Sequence, residues 1–230
     1  MYIVIAGGGL MGLTLAERLV AHRHDVMVID PAAAVCEYAQ TEIGTMVHQG
    51  SATNTKTLDA AGLRRADIAV GIMRDDAANL AFILLAKSYG VPRRLVRLRE
   101  PDFEQAYRLA GATAIAHSVD PVVDQLMLQV EYPEIKALMH VGRHLLPESH
   151  SDVTIFEVAI PPESHLAGEP ASQAVLPPGV QLIAAETPDG GFAATSPTMV
   201  LQGGANVILL ARERDLEGVL KTLTQPRASQ

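Results

Sequence analysis

The sequence predicts an α/β fold, a doubly wound parallel sheet followed by a second, smaller α+β domain. From Met1 to about His117, short apolar runs alternate with helical patterns over short connections, as in parallel sheets. The opening run YIVIA is β-branched and continuously apolar, which is typical of a strand buried on both faces. Beyond about Glu148 the pattern changes to short strands joined by turns, which indicates a separate module.

The elements of the first part follow one another with little between them. Gly62 and Gly90 are placed to end two of its helices. Six strands are predicted at YIVIA, DVMVID, GTMVH, DIAVGIM, RLVRL and ATAIA. Helices are predicted at 10–22, NTKTLDAAGL, DDAANLAFILLAKSYG and DFEQAYRLAG, and a further helix after the second strand contains Cys36.

The rest of the chain divides into a connecting helix and a small module. A helix is predicted from Pro121 to about Leu138, with an apolar seam of Val122, Leu126, Val130 and Leu138. The polar stretch LLPESHSD reads as a linker, followed by the strands VTIFEVAI, VQLIAAETPDGGFAAT and NVILLARE and the helix DLEGVLKTL. We therefore predict a first domain over 1–120, a crossover helix and linker over 121–150, and an α+β domain over 151–230.

Composition narrows the class of protein. The chain has 230 residues, 48% of them hydrophobic, and a net charge of −8, which argues against binding nucleic acid or anionic lipid through bulk electrostatics. No stretch approaches the roughly 18 apolar residues of a membrane-spanning helix. The single cysteine, Cys36, excludes an internal disulfide and suits a reducing compartment. These observations predict a soluble, cytoplasmic protein without direct membrane insertion.

The glycine pattern Gly7-x-Gly9-x-x-Gly12 stands directly after the first strand and opens a helix. In a dinucleotide-binding turn the first glycine permits the tight turn, the second lets the backbone approach a pyrophosphate, and the third allows close helix–strand packing. Asp30 ends the second strand 18 residues beyond Gly12, near the spacing of a carboxylate that holds ribose hydroxyls. The alternative is a simple glycine turn with an ordinary surface aspartate. Asp30 also disfavours a 2′-phosphorylated cofactor.

Groups that would support catalysis are sparse. No Tyr-x-x-x-Lys pair occurs, and no substantial substrate domain follows the sheet. His140 and His144 stand at i, i+4 near the end of the predicted helix, as a metal pair or as a solvated helix end. Cys36 is interpreted as a packing residue rather than a reactive one.

The order and spacing of several motifs resemble the RCK or KTN regulatory proteins of bacterial potassium uptake, of the TrkA and KtrA kind. The resemblance spans nearly the whole chain. It is carried by GGGLMG, Asp30, GSATNTKTLDAAGLRRAD, RDDAANL, LVRLREP and LAGATAI, and in the second part by 164–210.

This resemblance implies a Rossmann-type lobe that binds NAD(H) or ATP/ADP and acts without catalysis. It also implies a homodimer, assembled into a gating ring beneath a potassium-translocating membrane subunit of the TrkH or KtrB type. The protein would be cytoplasmic and peripheral to the inner face of the membrane through that partner. The apolar seam would then form the dimer surface; alternatively, its helix packs on its own sheet.

The family's nucleotide-binding positions can be placed on this sequence. Its phosphate turn corresponds to Gly7, Gly9, Leu10, Met11 and Gly12, and its ribose carboxylate to Asp30, beside Pro31. Its adenine-side turn corresponds to Gly50, Ser51, Ala52 and Thr53. The threonine that follows a strand in the family corresponds to Met73, and the basic residue of the fifth strand corresponds to Arg97.

Several of these positions depart from the family pattern. Ser51 replaces an expected aspartate, Met73 a threonine and Ala77 an acidic residue. Arg97 is expected to meet phosphate charge, with a surface ion pair as the alternative. Three functions therefore remain open: a nucleotide-dependent regulator, a small NAD-dependent oxidoreductase, and an assembly module whose nucleotide site has decayed.

Overall fold

The computed structural model describes residues 1–140 and 153–226, in two compact units, Met1–Pro121 and Val122–Gln230. The first unit contains a six-stranded parallel sheet with strand order β3-β2-β1-β4-β5-β6, which confirms the predicted doubly wound architecture. Its strands are β1 (Tyr2–Ala6), β2 (Asp25–Asp30), β3 (Met46–Gln49), β4 (Ile68–Gly71), β5 (Arg93–Leu98) and β6 (Ala114–His117). Its helices are α1 (Leu10–Ala21), α2 (Ala33–Tyr38), α3 (Thr55–Ala60), α4 (Asp76–Ser88) and α5 (Glu104–Ala110).

Both faces of the central strands are buried, as the continuous apolar runs predict. Along β1, Val4 packs in a layer that includes Phe82 of α4, whereas Ile3 and Ile5 pack in the opposite layer. All four side chains are at most 2% exposed. The sheet is therefore rigid where it carries the loops described below.

The chain reverses direction across the sheet between β1 and β4, which are neighbours although other elements separate them in sequence. Ala6 pairs with Gly71, so the two strands end side by side. Loops that leave such a pair of strands diverge to opposite faces and open a crevice, where ligands of open α/β sheets bind. The Gly7–Gly12 turn lies at this edge of the sheet.

Several helices of the first unit end, at the amino-terminal ends of the strands, in residues with a left-handed backbone conformation. Gly62, Gly90 and Gly111 follow α3, α4 and α5 with φ angles of 67°, 81° and 91°. At the same point after α1 stands Arg23, with φ 61°, where its amide donates to Val20 O and that of His24 to Leu19 O. Within residues 1–140 and 153–226, Arg23 is the only non-glycine residue with positive φ.

The second unit contains a five-stranded sheet with order β10-β9-β11-β8-β7, whose neighbouring strands are antiparallel, as the α+β prediction requires. Its core surrounds Phe156, Val158 and Leu209, with Val219 and Leu223 packed against them. Its elements are β7 (Ile135–His140), β8 (Val153–Ala159), β9 (Gln181–Glu186), β10 (Phe192–Ala194), β11 (Asn206–Arg212), α6 (Asp120–Glu131), which begins at the boundary of the units, and α7 (Leu216–Thr224).

The helix predicted from Pro121 to about Leu138 is wrong in its second half. α6 ends at Glu131, and the following residues form β7, which pairs with β8. Pro133 explains the break, since proline lacks an amide donor and disfavours the helical conformation of the residue before it. His140 therefore lies on a strand and forms no helical pair with His144, which is outside the described residues.

The remaining part of the predicted apolar seam is present on α6. Val122, Leu126 and Val130 are 59%, 58% and 79% exposed, whereas Leu128 on the other side of the helix is buried. Leu138 belongs to β7 instead. Across the described ranges, no helix is both long and apolar enough to cross a bilayer.

Candidate functional site

Two positions of the opening turn admit only glycine. Gly7 has φ 107°, and a Cβ placed on it would lie 3.0 Å from the backbone nitrogen of Met73. A Cβ on Gly12 would lie 2.0 Å from the carbonyl oxygen of Gly7. The amide of Gly7 donates to Ile29 O at 2.9 Å, which fastens the turn to β2. The first and third glycines thus have the backbone roles that the pattern predicts.

Gly9 differs, because a Cβ on it would meet nothing within 4 Å. It is the N-cap of α1 and supplies no capping side chain. The first helical bond runs from Leu13 N to Gly9 O, so the amides of Leu10, Met11 and Gly12 precede the helical ladder. These donors and the helix dipole leave a partial positive charge at an exposed backbone, which suits an anion.

Asp30 connects the turn to the loop after β2. Its Oδ2 accepts from Gly8 N at 2.8 Å and its Oδ1 from Ala32 N at 2.9 Å. Each carboxylate oxygen keeps a further lone pair for a hydroxyl donor. The sequence interpretation did not single out Gly8, although a Cβ there would lie 2.3 Å from Val35 Cγ1. The signal was available, since three consecutive glycines stand at 7–9.

The loops after β2 and β3 meet beside Asp30. Gly50 N donates to Asp30 O at 3.0 Å, and Gln49 Nε2 donates to Pro31 O at 3.2 Å. This places the predicted positions Pro31 and Gly50 at the same carboxyl-terminal edge of the sheet as the glycine turn.

The adenine-side turn offers hydroxyl groups rather than a carboxylate. Ser51 Oγ and Thr53 Oγ1 are 2.8 Å apart, and both residues are exposed. The side chain of Ala52 is only 3% exposed and belongs to the core. A ligand could therefore contact Ala52 only through its backbone.

The Met73 loop is held by a residue that the sequence interpretation missed. Asn79 is fully buried, and its Oδ1 accepts from Met73 N at 2.9 Å while its Nδ2 donates to Met73 O at 3.0 Å. Asn79 thus fixes the loop that lies against Gly7. A single polar residue within the otherwise apolar run 77–86 of α4 was the available sequence signal. Ala77, the other departure from the family pattern, is exposed.

A second buried contact holds the loop after β5. Asp76 is 4% exposed; its Oδ1 accepts from the Tyr107 hydroxyl at 2.7 Å and its Oδ2 from Glu100 N at 3.0 Å. Burial, and then the hydrogen bond to Asp76, raise the pKa of Tyr107 well above its ordinary value. The phenol therefore remains a neutral donor that secures this loop.

Arg97 lies on β5, one residue before the strand ends, and its backbone pairs with Ala116 of β6. Its Nε is buried and finds no hydrogen-bond partner in the part of the chain that the structure describes. No carboxylate of the described residues forms an ion pair with it, so the alternative of a surface ion pair is not observed there. A buried guanidinium nitrogen without a partner has free capacity to bind an anion.

Cys36 has the packing role predicted for it. It is 7% exposed on α2, and its Sγ donates to Asp30 O at 3.4 Å. Burial and the nearby Asp30 raise the pKa of the thiol, which disfavours the reactive thiolate. No three His, Cys, Asp or Glu side chains form a metal-binding group among residues 1–140 and 153–226.

The sequence model of the TrkA-N domain matches residues 3–118, which include every side chain of this site. The chain belongs to the TrkA family. A Trk system potassium uptake protein TrkA homolog of Methanothermobacter thermautotrophicus is 31% identical over 212 residues, covering 92% of this chain and 94% of the homolog. A TrkA homolog of Pyrococcus abyssi is 27% identical over 229 residues, 99% of both chains. The resemblance stated from the motifs is thereby confirmed.

Solved structures of the GsuK channel show the same fold. The GsuK channel matches with a TM-score of 0.67 and 19% identity over all of this chain and 40% of the channel chain. The GsuK channel bound to NAD matches with a TM-score of 0.65 and the same coverage. The expected combination of a Rossmann-type sheet and a smaller second domain is confirmed for this TrkA-family chain.

Proposed function

We propose that this chain is a cytoplasmic, non-enzymatic regulatory subunit of a potassium transport system, which binds an adenine nucleotide at the Gly7–Gly12 turn. The observation that carries the proposal is the open, uncapped amino terminus of α1 at Gly9. A glycine there leaves the backbone donors accessible, whereas Gly7 and Gly12 are closed off by backbone. This is the distribution of space that a bound diphosphate requires.

Charges around the turn are distributed as a nucleotide needs them. The amides of α1 and the unpartnered Arg97 Nε are donors for phosphate oxygens. Asp30 is an acceptor for ribose hydroxyls, and Ser51 and Thr53 offer hydroxyls on the adenine side. We infer that the nucleotide is surrounded by the phosphate turn, the ribose carboxylate and the adenine-side loops. These comprise Gly7, Gly9, Leu10, Met11, Gly12, Asp30, Pro31, Ser51, Ala52, Thr53, Met73 and Arg97.

The related structures support an adenine nucleotide in particular. One GsuK structure has NAD bound, and another GsuK structure, with a TM-score of 0.51, has ADP bound. Both ligands contain an adenosine diphosphate group, which the turn, Asp30 and Arg97 could contact together. NAD(H) and ATP/ADP therefore remain the candidate ligands.

We infer that occupancy of the site changes a conformational equilibrium. A ligand shifts such an equilibrium only through its different affinity for the two states, and coupling of about 1–3 kcal/mol is typical. Arg97 is suited to this role because it stands on β5, away from the turn on β1, and its Nε has no hydrogen-bond partner among the described residues.

The family supports an inference about the partner and the assembly. Relatives are named as Trk system potassium uptake proteins, and the GsuK structure is a channel. We infer a membrane subunit of the TrkH or KtrB type as partner, and a homodimer through the exposed side chains of α6 that assembles into a ring. Neither a nucleic acid nor direct insertion into the membrane has a place in this function.

Calorimetric titration of the purified chain with ADP, ATP, NAD⁺ and NADH tests the site. We expect at least one of these nucleotides to bind, and Arg97→Gln to weaken that binding by about 10–100-fold, as expected for a lost charge-assisted hydrogen bond. Arg93→Gln, at the other end of β5, is the matched control and should bind as the wild type does. Absence of binding to the wild-type chain would favour a decayed assembly module, to which Ser51, Met73 and Ala77 point.

A flux measurement tests the regulatory role. Potassium uptake by vesicles that contain the membrane subunit should change when this chain is added, and change again when the bound nucleotide is exchanged. Steady turnover of NADH with a carbonyl substrate would instead identify an oxidoreductase.

A further inference from the structure

Seven exposed cationic side chains lie at the amino-terminal edge of the first sheet, the edge opposite to the Gly7–Gly12 turn. One of them, Arg108 in the last turn of α5, pairs with Glu104, which leaves six. They come from the end of α1, the residues before β4, the end of α4 and the start of β5. We name this set the basic edge; it consists of Arg18, Arg23, Arg64, Arg65, Lys87 and Arg93.

The charge of the basic edge is not neutralised locally. None of its six members forms an ion pair with any of the described residues. Three carboxylates, those of Asp25, Asp59 and Asp67, lie among them, so the six cations outnumber the nearby anions. Asp59 accepts from the Tyr89 hydroxyl at 2.8 Å and Asp67 from Tyr2 N at 2.7 Å. The remaining one, Asp25, is exposed. The edge thus has an excess of positive charge.

Helix dipoles account for only part of this set. Arg18 and Lys87 occupy the last turns of α1 and α4, where cations are favourable. Arg64 and Arg65 belong to a single 3₁₀ turn before β4, which is too short for a substantial dipole, and Arg93 stands at the start of β5. The guanidinium of Arg64 lies 4.9 Å from the centre of the Tyr89 ring and that of Arg65 4.4 Å from the Tyr2 ring. Such stacking orders both groups in advance.

Arg23 adopts a left-handed backbone conformation, which is unfavourable for a residue with a Cβ atom. It has φ 61°, whereas the equivalent residues after α3, α4 and α5 are Gly62, Gly90 and Gly111. Glycine adopts this conformation without a Cβ penalty. A residue with a strained backbone in the middle of a charged surface points to a function that requires its charge.

The six groups form a broad array rather than a pocket. From β2 to β5 the sheet spans three interstrand spacings, or about 15 Å. A single phosphate needs convergent donors, whereas a spread array fits an extended anionic surface. We propose that the basic edge is a docking surface for the anionic phospholipid headgroups of the membrane.

The choice of a lipid surface rests on the proposed function, which places the chain beside a membrane subunit. The cytoplasmic loops of membrane proteins carry an excess of Lys and Arg and would repel this edge. The anionic headgroups of the cytoplasmic leaflet attract clustered cations instead. The overall charge of −8 opposes general attraction of the chain to lipid. The contact is therefore local, orients the sheet, and depends steeply on salt.

Vesicle sedimentation with the full chain tests this inference. We expect binding to vesicles of phosphatidylglycerol and phosphatidylcholine in low salt, release at high salt, and no binding to phosphatidylcholine alone. The double variant Arg64→Glu/Arg93→Glu should lose at least tenfold in affinity. Arg74→Glu/Arg99→Glu makes the same charge change at the opposite edge and should stay within about twofold of the wild type.

Arg23→Gly provides a readout that a merely structural role would not give. Removal of the strained side chain should raise the melting temperature by about 1–4 °C, yet weaken vesicle binding by several-fold. Absence of binding to the anionic vesicles, an equal loss in both double variants, or equal affinity for double-stranded DNA at the same salt would overturn the proposal. Nucleotide titration of Arg64→Glu/Arg93→Glu separates this outcome from failure of the proposed function, because the basic edge is remote from the glycine turn.

Discussion

The side chain of Asn79 binds both backbone groups of Met73, at 2.9 Å through Oδ1 and 3.0 Å through Nδ2. The Asn79 amide thereby supplies the loop after β4 with hydrogen bonds of the kind that a neighbouring strand would make. Because a Cβ on Gly7 would lie 3.0 Å from Met73 N, this loop also forms one wall of the glycine turn. A buried amide on α4 therefore sets the shape of a site to which it contributes no atom.

Asn79→Ala is expected to lower both stability and nucleotide affinity. The substitution leaves two backbone groups of a partly buried loop without partners, and we expect the free energy of unfolding in urea to fall by about 1–3 kcal/mol. Nucleotide affinity should fall as well, because the Met73 loop would no longer be held against Gly7. Gln105→Ala, on the exposed side of α5, is the control and should change neither quantity. Unchanged affinity in Asn79→Ala would show that the loop is positioned by other contacts.

Gly9→Ala should impair nucleotide binding, whereas Gly12→Ala should impair folding stability. An alanine at 9 meets nothing within 4 Å and has a φ of −67°, so the protein should fold normally but lose nucleotide binding, since the methyl group occupies the approach to the amides. An alanine at 12 would place its Cβ 2.0 Å from Gly7 O, so it should unfold at markedly lower denaturant. Denaturation curves and calorimetry on both variants distinguish the two effects. Full nucleotide affinity in Gly9→Ala would contradict the proposed site.

Asp30→Ala is expected to weaken nucleotide binding by more than its loss of folding stability would account for. It removes two backbone hydrogen bonds together with the acceptor for the ribose hydroxyls. Asp67→Ala is a useful comparison, because Asp67 accepts a backbone hydrogen bond from Tyr2 at the other edge of the sheet. Calorimetry should show at least a tenfold loss of affinity for Asp30→Ala and none for Asp67→Ala. Equal nucleotide affinity in the two variants would favour the decayed assembly module.

Tyr107→Phe should reveal a pH dependence at the alkaline end. The pKa of Tyr107 is raised in the folded chain above its ordinary value of 10.0, first by burial and then by Asp76. Its contribution to stability is therefore complete below about pH 10 and is lost as the pH rises further, because only the unfolded chain ionises freely there.

Unfolding in urea at a series of pH values measures this effect. Near neutrality Tyr107→Phe should be less stable than the wild type by about 1–3 kcal/mol, since Asp76 loses a donor. The difference should shrink above pH 10. The exposed Tyr38→Phe should show neither effect. A difference that stays constant across pH 8–11 would contradict the assignment.

The strands and glycine positions of the first unit could be predicted because local rules and the fold agree there. Continuous apolar runs are buried on both faces, and Gly62 and Gly90 end their helices in the left-handed conformation. Gly7 and Gly12 could also be assigned, because their roles depend on the backbone alone.

The contacts of Asn79 and Asp76 could not be predicted in the same way. Both residues bind backbone groups of other loops, and which loop they reach depends on the packing of α4 against the sheet. The end of α6 is a different case, because Pro133 was visible in the sequence. The apolar residues after Pro133 continued a helix-like spacing, and the helix was therefore predicted to extend past the proline.

The exposed face of α6 has a consequence for how firmly the chain stays folded. Val122, Leu126 and Val130 keep more than half of their side-chain surface in water. If a second copy covers them, mass action links folding to association, and dilution removes part of the folding free energy. The melting temperature should then rise with protein concentration, and Leu126→Asp should abolish that dependence while leaving the melting temperature of the dilute chain nearly unchanged.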